Sequence, residues 1–190
     1  MQPKPGGPWK LAAAPEATIR RALPVALTPA GAAATASPDG PGLAVAPSQL
    51  PALHASFING SPASPGFAKG RWTSAVIQGT GTFRRFYGSY GWKYKDVWAA
   101  SSYPIYTLRT AGGGAVVWYF LKDRQTVVRT GAGQPLQSGS AVYALTGKAQ
   151  VMQRFTIDSL SEFVAIVPPQ GKGKITVVAG FTGNVAATAS

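Results

Sequence analysis

The chain has 190 residues, with 18 Lys and Arg against six Asp and Glu, and a net charge of +12. It has no cysteine and one histidine, so disulfides, thiol catalysis and zinc sites built from Cys and His are excluded by count. Charged residues make up only 13% of the total, so the excess reflects missing acids rather than basic runs, and it favours polyanionic partners.

Composition breaks near Gly66. Residues 1–66 hold 12 of the 16 prolines, 16 alanines and two of the 20 aromatics, with a net charge of +2. So few large apolar side chains cannot offset chain entropy, and this part is expected to be an extended or disordered Ala/Pro-rich arm. One short helix is expected at PEATIRRAL, 15–23, where Pro15 and Glu16 suit a first turn and Ile19 and Leu23 are spaced i, i+4. Arg20-Arg21 followed by ALPVALTPAGAAATA imitates a secretory signal, but Pro24, Pro29 and Gly31 interrupt its apolar region. His54, in LPALHASF, reads as an exposed arm residue with no frame for a Ser-His-Asp arrangement. Asn59-Gly60-Ser61 is formally a glycosylation sequon.

Residues 67–190 carry +10 of the charge and 18 of the aromatics. They read as one β-domain. Runs rich in Val, Ile, Thr, Tyr, Phe and Trp fall at 71–78, 82–87, 92–99, 104–109, 115–121, 124–129, 140–146, 149–157, 162–167 and 173–180. Gly-containing breaks at 112–114, 130–135, 145–149 and 168–174 separate several of them, a spacing expected of a sandwich or barrel. The one helical hint is IDSLSEF, 157–163.

The stretch FRRFYGSYGWKYKDVW, 83–98, is densest in aromatics and cations. In a strand over 90–98, Tyr90, Trp92, Tyr94, Asp96 and Trp98 share one face, and Lys93, Lys95 and Val97 the other. The leading reading puts the aromatics in the core and the lysines in solvent. The alternatives are a base-stacking surface and a subunit interface. Trp98 and Trp118 are expected in the core. Arg84, Arg85, Lys93, Lys95, Arg124 and Arg129 are the candidate phosphate contacts, with Arg109 and Lys122 adding to the same excess.

Catalytic signatures are missing. AGGGA, 111–115, lacks the Lys-Ser/Thr and helix of a phosphate loop and reads as a hairpin turn. Asp123, Asp158 and Glu162 could supply paired carboxylates, but capping or ion pairing with Arg124 and Arg154 is the simpler role. No cofactor and no enzymatic activity are expected. No uninterrupted apolar stretch approaches the roughly 20 residues of a membrane span.

YKDVWAASSYPIYTLRTAGGGAVVWYFLKD, 94–123, has the look of two successive jelly-roll strands, and KITVVAGFTGNVAATAS that of a final strand followed by a short polar tail. With the Ala/Pro-rich arm, the chain resembles coat proteins of small icosahedral plant RNA viruses, the tymovirus-like group. That resemblance implies an eight-stranded jelly roll, a many-copy homo-oligomeric shell, RNA held by phosphate contacts and location in a virion. The arm departs from an Arg-rich packaging arm, having only Lys4, Lys10, Arg20 and Arg21. The alternative is a secreted or virion-accessory β-sandwich that binds glycan or protein through Trp72, Trp92 and Tyr103.

Overall fold

The computed structural model describes residues 16–17, 22–63, 66–131 and 133–190. Its strands are antiparallel: β1 (Glu16–Ala17), β2 (Trp92–Ala100), β3 (Tyr106–Arg109), β4 (Ala115–Arg129), β5 (Leu136–Gln137), β6 (Gln150–Val151), β7 (Arg154–Val167) and β8 (Thr176–Ala189). One six-stranded sheet runs β1-β8-β7-β4-β2, with β3 beside β2 on the same flank of β4, and β5 and β6 form a separate pair. Among the described residues three α-helices accompany them, α1 (Leu50–Ile58), α2 (Ser74–Ser89) and α3 (Ser140–Thr146). The chain is mostly β, with helices where several strands were expected.

Of the runs expected as strands, 82–87 lies within α2 and 71–78 enters it from Ser74 onward. Val76, Thr80, Phe83 and Tyr87 recur at i, i+4, i+7 and i+11, a helical stripe. Val76 packs on the core, Thr80 Oγ1 donates to Asp96, and Phe83 and Tyr87 meet the Tyr94 ring. Run 140–146 is α3, ended by Gly147 in the left-handed conformation. The helical hint at 157–163 is instead strand, because Ile157, Ser159, Ser161 and Phe163 alternate onto one sheet face. Runs 115–121 and 124–129 join into the single strand β4, and 162–167 is the end of β7.

The division at residue 66 does not separate an arm from a domain. Leu50, Leu53, His54, Phe57 and Ile58 sit at i, i+3, i+4, i+7 and i+8, and α1 lays that stripe on the sheet. Leu50 and His54 are 0% exposed. His54 is therefore a core residue, not an exposed one. Its Nε2–H donates to Trp72 O at 2.9 Å, which leaves Nδ1 to accept from the Tyr119 hydroxyl at 2.9 Å. Residues 22–36 run along β3: Ala26 N–H donates to Arg109 O, and Arg109 N–H donates to Ala34 O, both at 2.8 Å. Of the helix expected at 15–23, Glu16–Ala17 pairs as strand with Gly180 and Ala179, and 15 and 18–21 lie outside the described residues.

Three clusters fill the sheet faces. Under α1, Tyr119, Leu121, Phe163, Val117 and Trp98 form the largest. Gly180 lets the Trp72 and Phe163 rings close over the backbone, since a β-carbon there would stand 2.8 Å from Phe163 and 2.9 Å from Trp72. Toward the other end of the same face, Trp92, Tyr94, Val127, Val142 and Phe155 form a second. On the opposite face Val116, Val164, Val178 and Ala179 pack with Leu23, Trp118 and Ile166. Trp98 is buried, and Trp118 is partly buried.

Candidate nucleic-acid interface

Strand register assembles the site. Side chains alternate across a strand, and cross-strand partners stand about 5 Å apart. On the face away from the helices, Lys93 lies beside Val128 and Arg154. The next row is Lys95, Thr126, Thr156 and Thr188, then Val97, Arg124, Asp158 and Ala186, then Ala99, Lys122 and Leu160. Lys93, Lys95, Lys122, Arg124 and Arg154 are all exposed. Five cations thus stand on one open half-face, beside exposed Val97 and Val128. A shallow depression of about 670 Å³, lined by Val97, Tyr103, Arg124, Leu160 and Val185, lies within it.

Asp158 is the acid in these rows. It accepts from Arg124 Nε at 2.6 Å and from Nη2 at 3.0 Å, a two-point pair that lowers the carboxyl pKa and raises that of the guanidinium. The arrangement fixes the plane of the Arg124 fork.

Of the six cations singled out from sequence, Lys93, Lys95 and Arg124 share this face. Arg84, from α2, joins Lys93 and Lys95 along the β2 edge. Arg85 donates to Thr82 Oγ1 at 3.2 Å on the exposed side of α2. Arg129 is elsewhere: it is opposite Trp92, and its guanidinium donates to Gly133 O and, at 3.3 Å, to Met152 O. It ties a loop. Lys122 and Arg154 reach the face only through the β2-β4-β7 register, which alternation along a single run does not reveal. Of the aromatics considered for glycan or protein contact, Trp92 is buried, Trp72 is partly buried beneath Arg71, and Tyr103 is exposed.

Behind the cations, on the helix side, lies a polar belt between the two large clusters. Asp96 accepts from Thr80 Oγ1 at 3.1 Å and from Trp98 Nε1 at 3.0 Å, and burial raises its pKa. Asp123 accepts from Gln125 Nε2 at 3.1 Å and is only 2% exposed. Burial, with the nearby Asp96 charge, pushes its carboxyl up to about 6. It does not pair with Arg124, which points to the other side of the sheet. Burial holds His54 down to about 4, so it is neutral near pH 7.

The Asn59 amide is committed as well. It donates to Trp98 O at 2.8 Å and accepts from Trp98 N–H at 3.0 Å, standing in for a neighbouring strand at the β2 edge. Among the described residues no group of three or more His, Asp or Glu is placed to hold a metal, and no helix is long and apolar enough to cross a membrane.

No curated protein and no solved structure matches the chain. A family model does, over residues 1–189, and the chain belongs to that family, described as a domain of unknown function, DUF8094.

Proposed function

We propose that this domain is a non-catalytic binding module that holds the phosphates of single-stranded nucleic acid across the open half-face of its sheet. The observation that carries this reading is the gathering of Lys93, Lys95, Lys122, Arg124 and Arg154 on four adjacent rows, with Arg84 at the rim and Asp158 the acid among them. The face presents cations with few hydrogen-bonding groups shaped to a base edge, so binding is tolerant of sequence. The coat-protein resemblance supports an RNA ligand. It also implies facing jelly-roll sheets and an arm free to reach neighbours. Residues 22–63 instead pair with and pack on their own domain, so shell building is not the reading the geometry supports best.

Fluorescence anisotropy with labelled oligonucleotides of unrelated sequence, at three salt concentrations, tests the reading. Four or five neutralised phosphates give a log–log slope of about −3 on single strands. The triple variant Lys93→Ala, Lys95→Ala, Lys122→Ala should flatten it by about two units. No binding at low salt, or an unchanged slope in the variant, overturns the proposal. Binding to vesicles of anionic phospholipid but not to oligonucleotides overturns it too.

A further inference from the structure

The other face of the sheet carries a second, separate cleft. It opens between α2 and residues 136–142 and measures about 490 Å³, within the roughly 300–1,000 Å³ of small-molecule sites. Phe86, Tyr87 and Tyr90 form one wall, Ser138 stands on the other, and Gln125 and Phe155 lie on the floor. Among the described residues no charged side chain lines it. The Tyr87 ring is held by stacking on Tyr94 at 5.6 Å, and it meets Phe155 edge-on at 6.1 Å. Phe86 and Tyr90 are 51% and 52% exposed, although both belong to this wall.

Two polar groups give the cleft a direction. The Ser138 hydroxyl is buried with no hydrogen-bond partner, an arrangement that is unfavourable until something meets it. Gln125 donates its Nε2–H to Asp123, and an ionised carboxylate can only accept. That bond orients the amide, leaving Gln125 Oε1 as an acceptor.

We infer that this cleft binds a small, neutral, planar molecule that carries a hydroxyl or N–H donor at one end. The ring lies among Phe86, Tyr87, Tyr90 and Phe155, and the donor meets Gln125 Oε1, with the Ser138 hydroxyl turning about its Cα–Cβ bond to join them. The site is independent of the nucleic-acid face, which lies on the opposite side of the sheet.

Fluorescence titration of the full chain with 2-naphthol, and with 2-methoxynaphthalene as the probe lacking the donor, tests it. Saturable one-to-one binding of 2-naphthol is expected, with the methoxy probe about three- to tenfold weaker. Ala141→Trp fills the cleft and should abolish binding. Ser138→Ala, which leaves the packing intact, should weaken 2-naphthol about threefold or more. Lys93→Ala with Lys95→Ala should leave it unchanged. The inference is overturned by absent saturable binding, by equal affinity for the two probes, or by undiminished 2-naphthol binding in the Ser138→Ala variant.

Discussion

β4 is one strand with two different lives. From Ala115 to Leu121, α1 and its cluster cover one side, and on the other Leu23 packs with Val116, Val164 and Val178 while Trp118 and Phe120 are partly buried. From Lys122 to Arg129, the helix side is covered and the other side meets solvent. The change falls on one face, between the partly buried Phe120 and the exposed Lys122. Cohesion is therefore concentrated at one end of the strand, and the charge that a ligand can use at the other. A sheet can carry a cation-rich surface at little cost to its stability when the core lies further along the same strands.

The sharpest test of this division is a pair of truncations on β7. Phe163 is fully buried and makes ring contacts with His54, Trp72, Trp98 and Tyr119, so Phe163→Ala should cost about 3–5 kcal/mol. Leu160, three residues earlier, lines the open depression, and Leu160→Ala should cost less than about 1 kcal/mol. Equal losses in chemical denaturation would mean that the open half is as much core as the covered half.

A second test uses pH, because burial displaces a titratable group in each half, and in opposite senses. His54 belongs to the doubly covered half. Its pKa is lowered in the folded state from 6.5 to about 4, so its contribution is present above pH 6.5 and lost as pH falls to about 4. Asp123 belongs to the other half. Its pKa is raised from 3.8 to about 6, so its contribution is present below 3.8 and lost as pH rises through 6. Asp96, also raised by burial, acts in the same direction as Asp123. Each principal shift is worth roughly 3 kcal/mol, and the two act with opposite signs over nearly the same window. The unmodified chain should keep its stability within about 1 kcal/mol between pH 7 and 4. Asp123→Asn should unmask His54 and lose roughly 2 kcal/mol on acidification. A flat profile in that variant, read by thermal melts at fixed ionic strength, would contradict the opposition.

The contrast between halves also explains what could be read from the sequence. The face assignment of Trp92, Tyr94 and Trp98 against Lys93 and Lys95 was legible, because alternation in one strand needs no partner. The split of β4 into two runs arose at Lys122-Asp123-Arg124, where hydrophobicity stops although the backbone does not. α1 carries a clear i, i+3, i+4 stripe, but Ala and Pro composition masked it: summed composition dilutes five well-spaced side chains. The glycines of α2 read as strand breaks. The six candidate cations are near one another in sequence, whereas the face is built by register. That difference brings in Lys122 and Arg154 and removes Arg85 and Arg129.

Asn59 sharpens the comparison at the edge of the sheet. Its amide satisfies both backbone groups of Trp98, whose side chain belongs to the main cluster. Asn59→Ala leaves those groups without that partner and should cost about 1–2 kcal/mol. It should also raise amide exchange at Trp98 more than at Tyr94. Uniform exchange along β2 in the variant would show that the clamp does not hold this edge.

The smallest effect is expected within the Lys122–Arg129 half of β4, where two cations on opposite faces should behave differently. Lys122 stands in solvent on the open face, and removing it takes away no contact the fold depends on. Lys122→Ala should therefore change stability by less than about 0.5 kcal/mol while flattening the salt slope of oligonucleotide binding by about 0.7. Arg129 donates to the carbonyls of Gly133 and Met152, holding the loop after β4 and the turn before β7. Arg129→Ala should cost about 1–2 kcal/mol and leave the slope alone. Both variants lose one positive charge, so a response set by net charge would flatten the slope equally. Only a ligand seated on the open face distinguishes them. Equal flattening in the two titrations would move the nucleic-acid reading from a defined surface to diffuse attraction by the +12 chain.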